Sequence, residues 1–326
     1  MKAVVCTKYG PPEVLELREI EKPISKDNEV LIRVYATTVS AADYKVRSFD
    51  APISFWLIAR LMLGLRRPRK PILGMELSGV IESVGNDVAF FKKGDEVFAS
   101  TLQTFGAYAE YKCLPDNGAI ALKPTNISHN EAAALPIGAR TAFHYLKNIG
   151  EIKPKQKVLI YGASGSVGTY AVQLAKYFGA EVTGVCSTSN LELVKSLGAN
   201  KVIDYTTADF TKNLETYDII FITVDKCPFK ACKKALNTNG VYLNIGRPIP
   251  SFQMVWMSLM SNKKIAVGKN VPDSAATLFS LKRLVEEGRL KPVIDRSYAL
   301  DQIVEAHRYA DKGHKKGNVV ITVNQR

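Results

Sequence analysis

The sequence predicts an α/β fold in two parts: a mostly-β part, and a part with a doubly wound parallel sheet. In the first 120 residues, short apolar and β-branched runs are separated by Gly, Pro, Asn and Asp, which is typical of a compact β domain. After Lys123-Pro124, strand patterns alternate with helix patterns, which indicates βα units. A glycine-rich turn joins the first strand and helix of this second part.

The β part is predicted from apolar runs that end at turn residues such as Gly85-Asn86-Asp87 and Pro115. Its predicted strands are residues 1–6, 30–36, 76–84, 96–99 and 107–114.

The α/β part opens with a helix, because Ser128 and Glu131 have the spacing of a capping box. Strands are then predicted at residues 157–161, 181–186, 201–205, 218–224 and 240–245, and helices at 167–178, 191–197 and 229–236. In the tail, helices at 274–287 and 300–310 precede a last strand at 318–323.

The chain is basic, with 44 Lys and Arg against 31 Asp and Glu and a net charge of +13. Its basic clusters, residues 66–70, 153–157 and 312–316, are short and are not interleaved with aromatic residues, which argues against nucleic acid as a partner. We interpret the excess as a solvated basic surface that helps to attract an anionic cofactor.

The five cysteines are scattered and contain no C-x-x-C, so neither a zinc knuckle nor a disulfide framework is indicated. Buried, reduced cysteines fit a cytoplasmic protein, and the first residues read as a strand without the apolar region of a secretion signal.

Residues 53–65 form the most apolar stretch of the chain. Arg60 interrupts it, and it is too short to span a bilayer, so no membrane insertion is predicted. We predict a lid or interface helix here, with a membrane-surface helix as the alternative, because a basic run follows.

The strongest signal for a ligand is the spacing G-x-x-G-x-x-G, which follows a strand and opens a helix. We predict that Gly162 makes the tight turn, that Gly165 lets the backbone approach a pyrophosphate, and that Gly168 allows helix and strand to pack closely. The other cofactor-binding positions of this loop are Ser164, Ser166 and Val167, at the positive end of the helix.

The end of the second strand predicts NADPH as the cofactor, with NADH less favoured. NAD enzymes usually place an acid there, whereas this chain continues into Ser187 and Glu181 lies at the opposite end. Ser187 and Tyr205 are candidate donors to a 2′-phosphate; alternatively, these polar groups only cap the helix at 191–197.

Several segments resemble the medium-chain dehydrogenase/reductase superfamily, and in particular its zinc-free quinone oxidoreductase-like branch. Gly74-Met75-Glu76-Leu77-Ser78-Gly79 is similar to the G-H-E-x-x-G motif of the zinc members, and residues 132–142 to the segment before their Rossmann unit. Asn244-Ile245-Gly246 resembles the segment beside the nicotinamide, and Lys316-Gly317-Asn318-Val319-Val320 the closing strand.

The resemblance implies a GroES-like catalytic domain at residues 1–123, completed by 267–326, and a Rossmann dinucleotide-binding domain at 124–266. It implies a homodimer as well. It also adds cofactor-binding residues to those of the glycine loop, namely Ser40, Thr141, Asn244, Gly246 and Asn318.

The departures from the zinc members concern the metal ligands. Met75 stands where they have His, residues 38–43 lack the expected Cys, and the four-cysteine lobe expected after about residue 90 is absent. We therefore expect no zinc and no alcohol dehydrogenase reaction. Hydride transfer to an already polarised acceptor, a quinone or an α,β-unsaturated carbonyl, remains.

The loop 43–47 resembles the D-x-x-x-R segment of quinone oxidoreductases. We hypothesise that Tyr44 or Lys45 donates a proton or stabilises the oxyanion, with Asp43 as part of the catalytic group. The alternative is a structural Asp43–Arg47 ion pair and a product protonated by solvent.

Two apolar segments, residues 55–62 and 252–257, suggest a hydrophobic acceptor, although core or subunit interface is the alternative for most of their side chains. The competing functions are a medium-chain enoyl-thioester reductase and a non-catalytic NADPH-binding redox sensor.

Overall fold

The computed structural model describes residues 1–51, 56–208, 215–224, 227–247 and 250–324. Contacts divide it into two compact units. Unit 1 comprises Met1–Ile137, Asp273–Gly288 and Pro292–Arg326, and unit 2 comprises Gly138–Pro272 and Arg289–Lys291. Part of the predicted apolar stretch, residues 52–55, lies outside the described residues.

The strands are β1 Lys2–Cys6, β2 Leu15–Glu19, β3 Glu29–Thr38, β4 Glu76–Val84, β5 Glu96–Ser100, β6 Tyr111–Pro115, β7 Ile120–Leu122, β8 Lys157–Tyr161, β9 Glu181–Cys186, β10 Lys201–Asp204, β11 Tyr217–Ile222, β12 Leu236–Asn244, β13 Lys264–Val267, β14 Ile294–Ala299 and β15 Asn318–Thr322. The α-helices are α1 Ala41–Ser48, α2 Trp56–Leu63, α3 His129–Ala133, α4 Gly138–Phe143, α5 Ser166–Tyr177, α6 Leu191–Ser196, α7 Phe229–Ala235, α8 Phe252–Met260, α9 Ala275–Glu286 and α10 Ile303–Asp311.

Unit 1 is built on a sheet with the strand order β14-β15-β3-β4-β5-β7, and β6 also pairs with β3. The pairing is antiparallel except between β14 and β15, and β1 and β2 form a separate antiparallel pair. β15, the last strand in sequence order, therefore lies inside the sheet that β3, β4, β5 and β7 form. This is the mostly-β domain that the sequence predicts.

Unit 2 contains a parallel sheet with the strand order β10-β9-β8-β11-β12-β13. Its strands are apolar because helices cover such a sheet on its faces; Leu159, Val185 and Ile220 are fully buried. The order reverses between β8 and β11, which is the arrangement of a doubly wound dinucleotide-binding domain. The predicted α/β class and both domain types are confirmed.

The unit boundary falls after Ile137 rather than after residue 123, because α3 packs against β3 and β4 of unit 1. Ser128 caps α3 through the expected capping box with Glu131. At the other end, unit 2 reaches Pro272, because β13 extends its sheet beyond β12.

Several elements differ from the sequence prediction, among them β6 and the segment after α4. The strand expected at 107–114 begins only at Tyr111, because the N–H groups of Ala107 and Tyr108 donate to the carbonyls of Gly74 and Leu73, at 3.3 and 3.0 Å. After α4 the chain continues in a π-helical turn, His144–Ile149, for which the sequence carries no pattern.

Candidate active site

The glycine loop of unit 2 has the geometry that the motif predicts at its first position. Gly162 has a φ of +83°, and a Cβ there would lie 2.6 Å from the Thr223 hydroxyl. The N–H groups of Gly162 and Ala163 both donate to the carbonyl of Val185, at 3.0 Å, which fixes the turn against β9. Gly162 is therefore required by backbone conformation and by space.

The other two glycines differ in what surrounds them. A Cβ on Gly168 would lie 2.1 Å from the Gly162 carbonyl oxygen, so this position allows α5 to pack against the turn. A Cβ on Gly165 would meet only that same oxygen, at 3.4 Å. Gly165 is the N-cap residue of α5 and supplies no side-chain cap. Ser164, Ser166 and Val167 flank Gly165 at this helix N-terminus, which is the kind of site that holds a pyrophosphate in dinucleotide-binding folds.

Asn190 joins the glycine loop to the end of β9, a role that the sequence analysis missed. Its amide nitrogen donates to the hydroxyls of Ser164 at 3.1 Å and Ser187 at 3.0 Å. Within the described residues its Oδ1 is buried and has no hydrogen-bond partner. A buried acceptor between these two segments fits a ribose hydroxyl donor. The only signal for it in the sequence is the polar run 187–190.

Asp204, at the end of β10, is the second missed residue. It is paired in register with Cys186, the last residue of β9. Its carboxylate accepts from the hydroxyls of Thr188 at 2.5 Å and Thr206 at 2.7 Å. These hydrogen bonds hold the pKa of Asp204 below its ordinary value. The sequence places no acid at the end of β9, but the parallel register brings one beside it.

The remaining predicted positions of unit 2 are found as follows. Tyr205 is 44% exposed, with its ring 6.2 Å from that of Tyr161. Asn244 is buried: its Oδ1 accepts from Gly246 N at 2.8 Å, and its amide donates to the Tyr242 hydroxyl at 2.9 Å. Its side chain thus shapes the turn after β12. Thr141 lies on α4 and is half-buried.

In unit 1, Asp43 is the capping partner of Ser40 at the start of α1. Its carboxylate accepts from the Ser40 hydroxyl at 2.5 Å, from Ser40 N at 2.9 Å and from Gly74 N at 3.2 Å. Burial raises the pKa of this carboxyl to about 6, while these hydrogen bonds oppose the shift. Asp43 thereby fixes the loop that carries Ser40 next to the segment that carries Met75.

The structural alternative of an Asp43–Arg47 ion pair is wrong. The guanidinium of Arg47 instead binds Asp311, with Nη2 to Oδ2 at 2.8 Å, and Nε donates to the Gly10 carbonyl at 3.1 Å. Arg47 lies one helical turn beyond Asp43 and faces α10, so its side chain serves the packing of α1 on α10.

A second buried carboxylate, Glu76, lies beside this loop. It accepts a hydrogen bond from the Thr38 hydroxyl and another from Ile137 N, the latter at 2.7 Å. Burial raises its pKa to about 7. Met75, at the position of the zinc-binding His in zinc members, is 2% exposed.

Lys315 was expected in a solvated basic cluster, and the structure corrects this. Its ammonium is half-buried, donates to the Gly317 carbonyl at 2.9 Å, and interacts electrostatically with Glu76, Asp295 and Asp43. Removal from solvent lowers its pKa to about 8, and the carboxylates oppose that shift. The ammonium therefore interacts electrostatically with Glu76 of the G-M-E segment and with Asp43 of the α1 loop.

The remaining predicted residues of unit 1 are Tyr44, Lys45 and Asn318. Tyr44 is half-buried against the apolar core of unit 1, and burial together with Asp311 and Asp50 raises the pKa of its phenol, which keeps it protonated. Lys45 is exposed on α1. Asn318 is 2% exposed, and its amide donates to the Val293 carbonyl at 3.1 Å.

Over the part of the chain that the structure describes, no group of three or more His, Cys, Asp and Glu side chains is arranged to hold a metal ion. In the same residues, no helix is both long and apolar enough to cross a bilayer.

Comparison with known proteins agrees with this fold and loop. Residues 26–124 match the family described as alcohol dehydrogenase GroES-like domain, and residues 197–321 the family described as zinc-binding dehydrogenase. The 2-methylene-furan-3-one reductase of Solanum lycopersicum is 33% identical over 98% of this chain and 79% of its own. The chloroplastic NADPH-dependent alkenal/one oxidoreductase of Arabidopsis thaliana is 32% identical over the same shares. A solved quinone oxidoreductase structure from Coxiella burnetii covers 99% of both chains, with a TM-score of 0.85 and 28% identity.

The two folds and the glycine loop, together with these relatives, define an enzyme, an oxidoreductase that uses a nicotinamide cofactor. The chain belongs to the medium-chain dehydrogenase/reductase superfamily, in its quinone oxidoreductase-like branch. The resemblance drawn from the sequence is confirmed. The cytoplasmic location stays a prediction, and so does the homodimer.

Proposed function

We propose that this protein is a zinc-independent, NADPH-dependent reductase of quinones or α,β-unsaturated carbonyls. The observation that carries the proposal is the glycine loop, in which Gly162 and Gly168 are sterically required and Gly165 is open toward the α5 N-terminus. Relatives named for quinone, alkenal and furanone reduction support this acceptor class.

The residues of unit 2 bind and orient the cofactor. The N–H groups at the start of α5 hold the pyrophosphate, and Asn190 accepts from a ribose hydroxyl. Asn244 positions the turn at Gly246 beside the nicotinamide through its two internal hydrogen bonds. When bound, the cofactor supplies the hydride, and the protein contributes orientation and hydrogen bonds to the acceptor oxygen.

Zinc independence is supported by Met75 and by the neighbouring groups. A buried thioether replaces the imidazole ligand, and the nearby carboxylates of Glu76 and Asp43 are bonded to backbone and hydroxyl donors of the protein. Lys315 supplies a positive charge that interacts with these carboxylates.

The proton that completes the reduction is proposed to come from Tyr44, Lys45 or Lys315, with Asp43 holding the α1 loop in place. Lys315 has two properties of a general acid: a pKa lowered to about 8, and electrostatic interactions with Asp43 and Glu76, the buried carboxylates of the α1 loop and the G-M-E segment. Tyr44 remains a hydrogen-bond donor, because the raised pKa of its phenol prevents ionisation.

Replacing Lys315 by Met is expected to lower kcat by about 100-fold and to remove the fall of activity above about pH 8. Only the protonated ammonium can donate, so wild-type activity declines as pH rises through the pKa of about 8. The pH profile of kcat for wild type, Lys315→Met and Lys315→Arg tests this. The same decline in Lys315→Met would transfer the role to Tyr44 or Lys45, which Tyr44→Phe and Lys45→Ala then separate.

Asp204 allows a test of cofactor preference. Replacement by Asn is expected to lower KM for NADPH by about five-fold and to leave KM for NADH unchanged, because an anion near the 2′-phosphate is removed. Asn retains an acceptor for the Thr206 hydroxyl. Thr206→Val, which disturbs the same loop without changing charge, is the control. An equal effect on both cofactors would show that Asp204 acts only on the loop.

The proposal as a whole is tested by following oxidation of NADPH and NADH at the nicotinamide absorbance, with a quinone and a short enone, in the presence of a chelator. Chelator-resistant oxidation of NADPH with either acceptor is the expected result. Loss of activity to the chelator with recovery on added zinc would overturn zinc independence. Turnover confined to an enoyl thioester would favour that alternative, and bound NADPH without turnover would reject the proposed reaction.

A further inference from the structure

Helix α2 presents an apolar surface to solvent. The side chains of Trp56, Leu57, Ile58, Leu61, Met62 and, just after the helix, Leu65 are between 46% and 67% exposed. Ala59 is the buried residue of this helix. Six large apolar side chains that lie together on the surface indicate a binding face, unlike the isolated exposed Ile24 and Phe90 elsewhere in unit 1.

Arg60 fastens α2 to the rest of unit 1 in this orientation. Its guanidinium lies 3.9 Å from the ring centroid of Phe49 and 4.7 Å from that of Tyr9. The Tyr9 hydroxyl donates to the Gly64 carbonyl at 3.0 Å, which secures the end of the helix. The side chain that interrupts the apolar run is therefore the anchor, and the apolar residues on either side of it stay outward.

A basic groove begins directly after the end of α2. Arg18, Arg66, Arg67 and Arg69 line it, together with Leu65 from the end of the apolar surface. Arg18 is paired with Glu16 at 2.6 Å. Among the described residues, no acidic side chain forms a salt bridge with Arg66, Arg67 or Arg69. Three arginines with uncompensated charge thus border the apolar helix.

We propose that α2 and this groove dock unit 1 onto an anionic phospholipid surface, with the apolar side chains below the headgroups and the arginines at phosphate level. This pairing of an apolar helix face with adjacent arginines is what interfacial binding requires. A second copy of the chain is disfavoured, because a two-fold contact through this face would bring two sets of uncompensated arginines into one interface. Nucleic acid is disfavoured, because five of the six apolar side chains are aliphatic and offer no ring on which a base could stack.

The docking brings the enzyme to the phase in which hydrophobic quinones and enones dissolve. It rests on α2 and the arginines alone and does not depend on the proposed reaction, so it is tested without cofactor or acceptor. In this arrangement α2 lies along the lipid surface and does not span the bilayer.

The test is co-sedimentation of the full chain with vesicles of phosphatidylcholine alone or with about one third phosphatidylglycerol. We expect binding to the anionic vesicles only, weakened roughly ten-fold or more by Arg66→Gln with Arg67→Gln, and comparably by Leu57→Ser with Leu61→Ser. The matched control is Lys92→Gln with Lys93→Gln, which removes the same charge from another exposed site of unit 1 and is expected to bind as wild type. If the control variant bound the vesicles equally weakly, net charge alone would explain the effect, and the proposal would be overturned.

The two tryptophans allow a second measurement, which reports which helix contacts the lipid and not how tightly the protein binds. In Trp256→Phe, the remaining Trp56 is expected to shift its emission to the blue on addition of anionic vesicles. In Trp56→Phe, the remaining Trp256, on the exposed helix α8, is expected to stay unchanged. The reverse pattern would assign lipid binding to α8. Absence of vesicle binding, or a dimer that Leu57→Ser with Leu61→Ser dissociates, would also overturn the proposal.

Discussion

Lowering the pH from 7 to 3 is expected to reduce the free energy of unfolding by about 4 kcal/mol through His307 alone. Burial, reinforced by the charge of Arg47, lowers the pKa of this imidazole from 6.5 to about 3. Between those two values the unfolded chain binds a proton that the folded chain does not. The stabilisation is therefore complete above pH 6.5 and is lost progressively as the pH falls toward 3.

The hydrogen bonds around His307 show why protonation is costly. Arg47 can only donate, so Nδ1 of His307 accepts from it, at 3.4 Å. Nε2 then carries the hydrogen and donates to the Tyr108 hydroxyl at 3.2 Å, which donates in turn to the Thr38 carbonyl at 3.2 Å. A second proton on the ring would point at a guanidinium in a site closed to water.

The measurement is urea unfolding at several pH values between 3 and 7, with Trp56 emission in a Trp256→Phe background as the probe of unit 1. Replacing His307 by Gln is expected to reduce the dependence on pH in this range. The matched control is His314→Gln, an exposed histidine of the same unit, which is expected to keep the wild-type slope. If His307→Gln kept that slope too, another group would be responsible for the acid sensitivity.

Replacing Gly168 by Ala is expected to lower the stability of unit 2 by about 3 kcal/mol and to weaken NADPH binding by about 100-fold. The added methyl group would lie 2.1 Å from the Gly162 oxygen and 2.8 Å from backbone atoms of Ala163, and none of these is a flexible side chain that can move aside. Helix α5 must shift away from the turn, which displaces the N–H groups that bind the pyrophosphate.

Gly165→Ala is the matched variant, with the same chemical change three residues earlier. Its methyl group meets only one atom, at 3.4 Å, so stability without cofactor is expected to fall by less than about 1 kcal/mol. NADPH binding is still expected to weaken by about ten-fold, because the methyl group fills the space that the pyrophosphate approaches. Thermal unfolding with and without NADPH, and titration of cofactor fluorescence, separate the two effects. Wild-type affinity in Gly168→Ala would contradict the assigned role.

Features encoded within one segment could be predicted from the sequence. The strand and helix pattern of unit 2, the capping box at Ser128 and the close packing of Gly168 against the turn at Gly162 each depend on neighbours along the chain. The family resemblance also follows from contiguous motifs, and the comparisons confirm it.

Features that depend on residues distant in sequence were missed or misassigned. Asp204 lies beside the end of β9 only because of the sheet order, and Arg47 turns from Asp43 to Asp311, which is 264 residues away. In the sequence Lys315 belongs to a basic cluster. Its electrostatic interactions with Glu76 and Asp43 arise only because the chain leads into β15, which pairs with β3. No local pattern distinguishes such pairings from ordinary solvated charges.

The position of β15 has a consequence for how the protein is made. β15, Asn318–Thr322, lies between β14 and β3 and pairs with Ala36–Thr38, so this end of β3 has no neighbour on that side until residue 322 leaves the ribosome. Synthesis of the roughly 180 residues between Ile137 and Asn318 takes on the order of 10–40 s, during which Ala36–Thr38 is an open template for other strands, whereas Glu29–Arg33 of the same edge pairs with β6. The Rossmann unit is contiguous apart from three residues and is finished first. Chains that stop short of residue 318 therefore leave Ala36–Thr38 unpaired, which makes them prone to aggregation and to capture by chaperones.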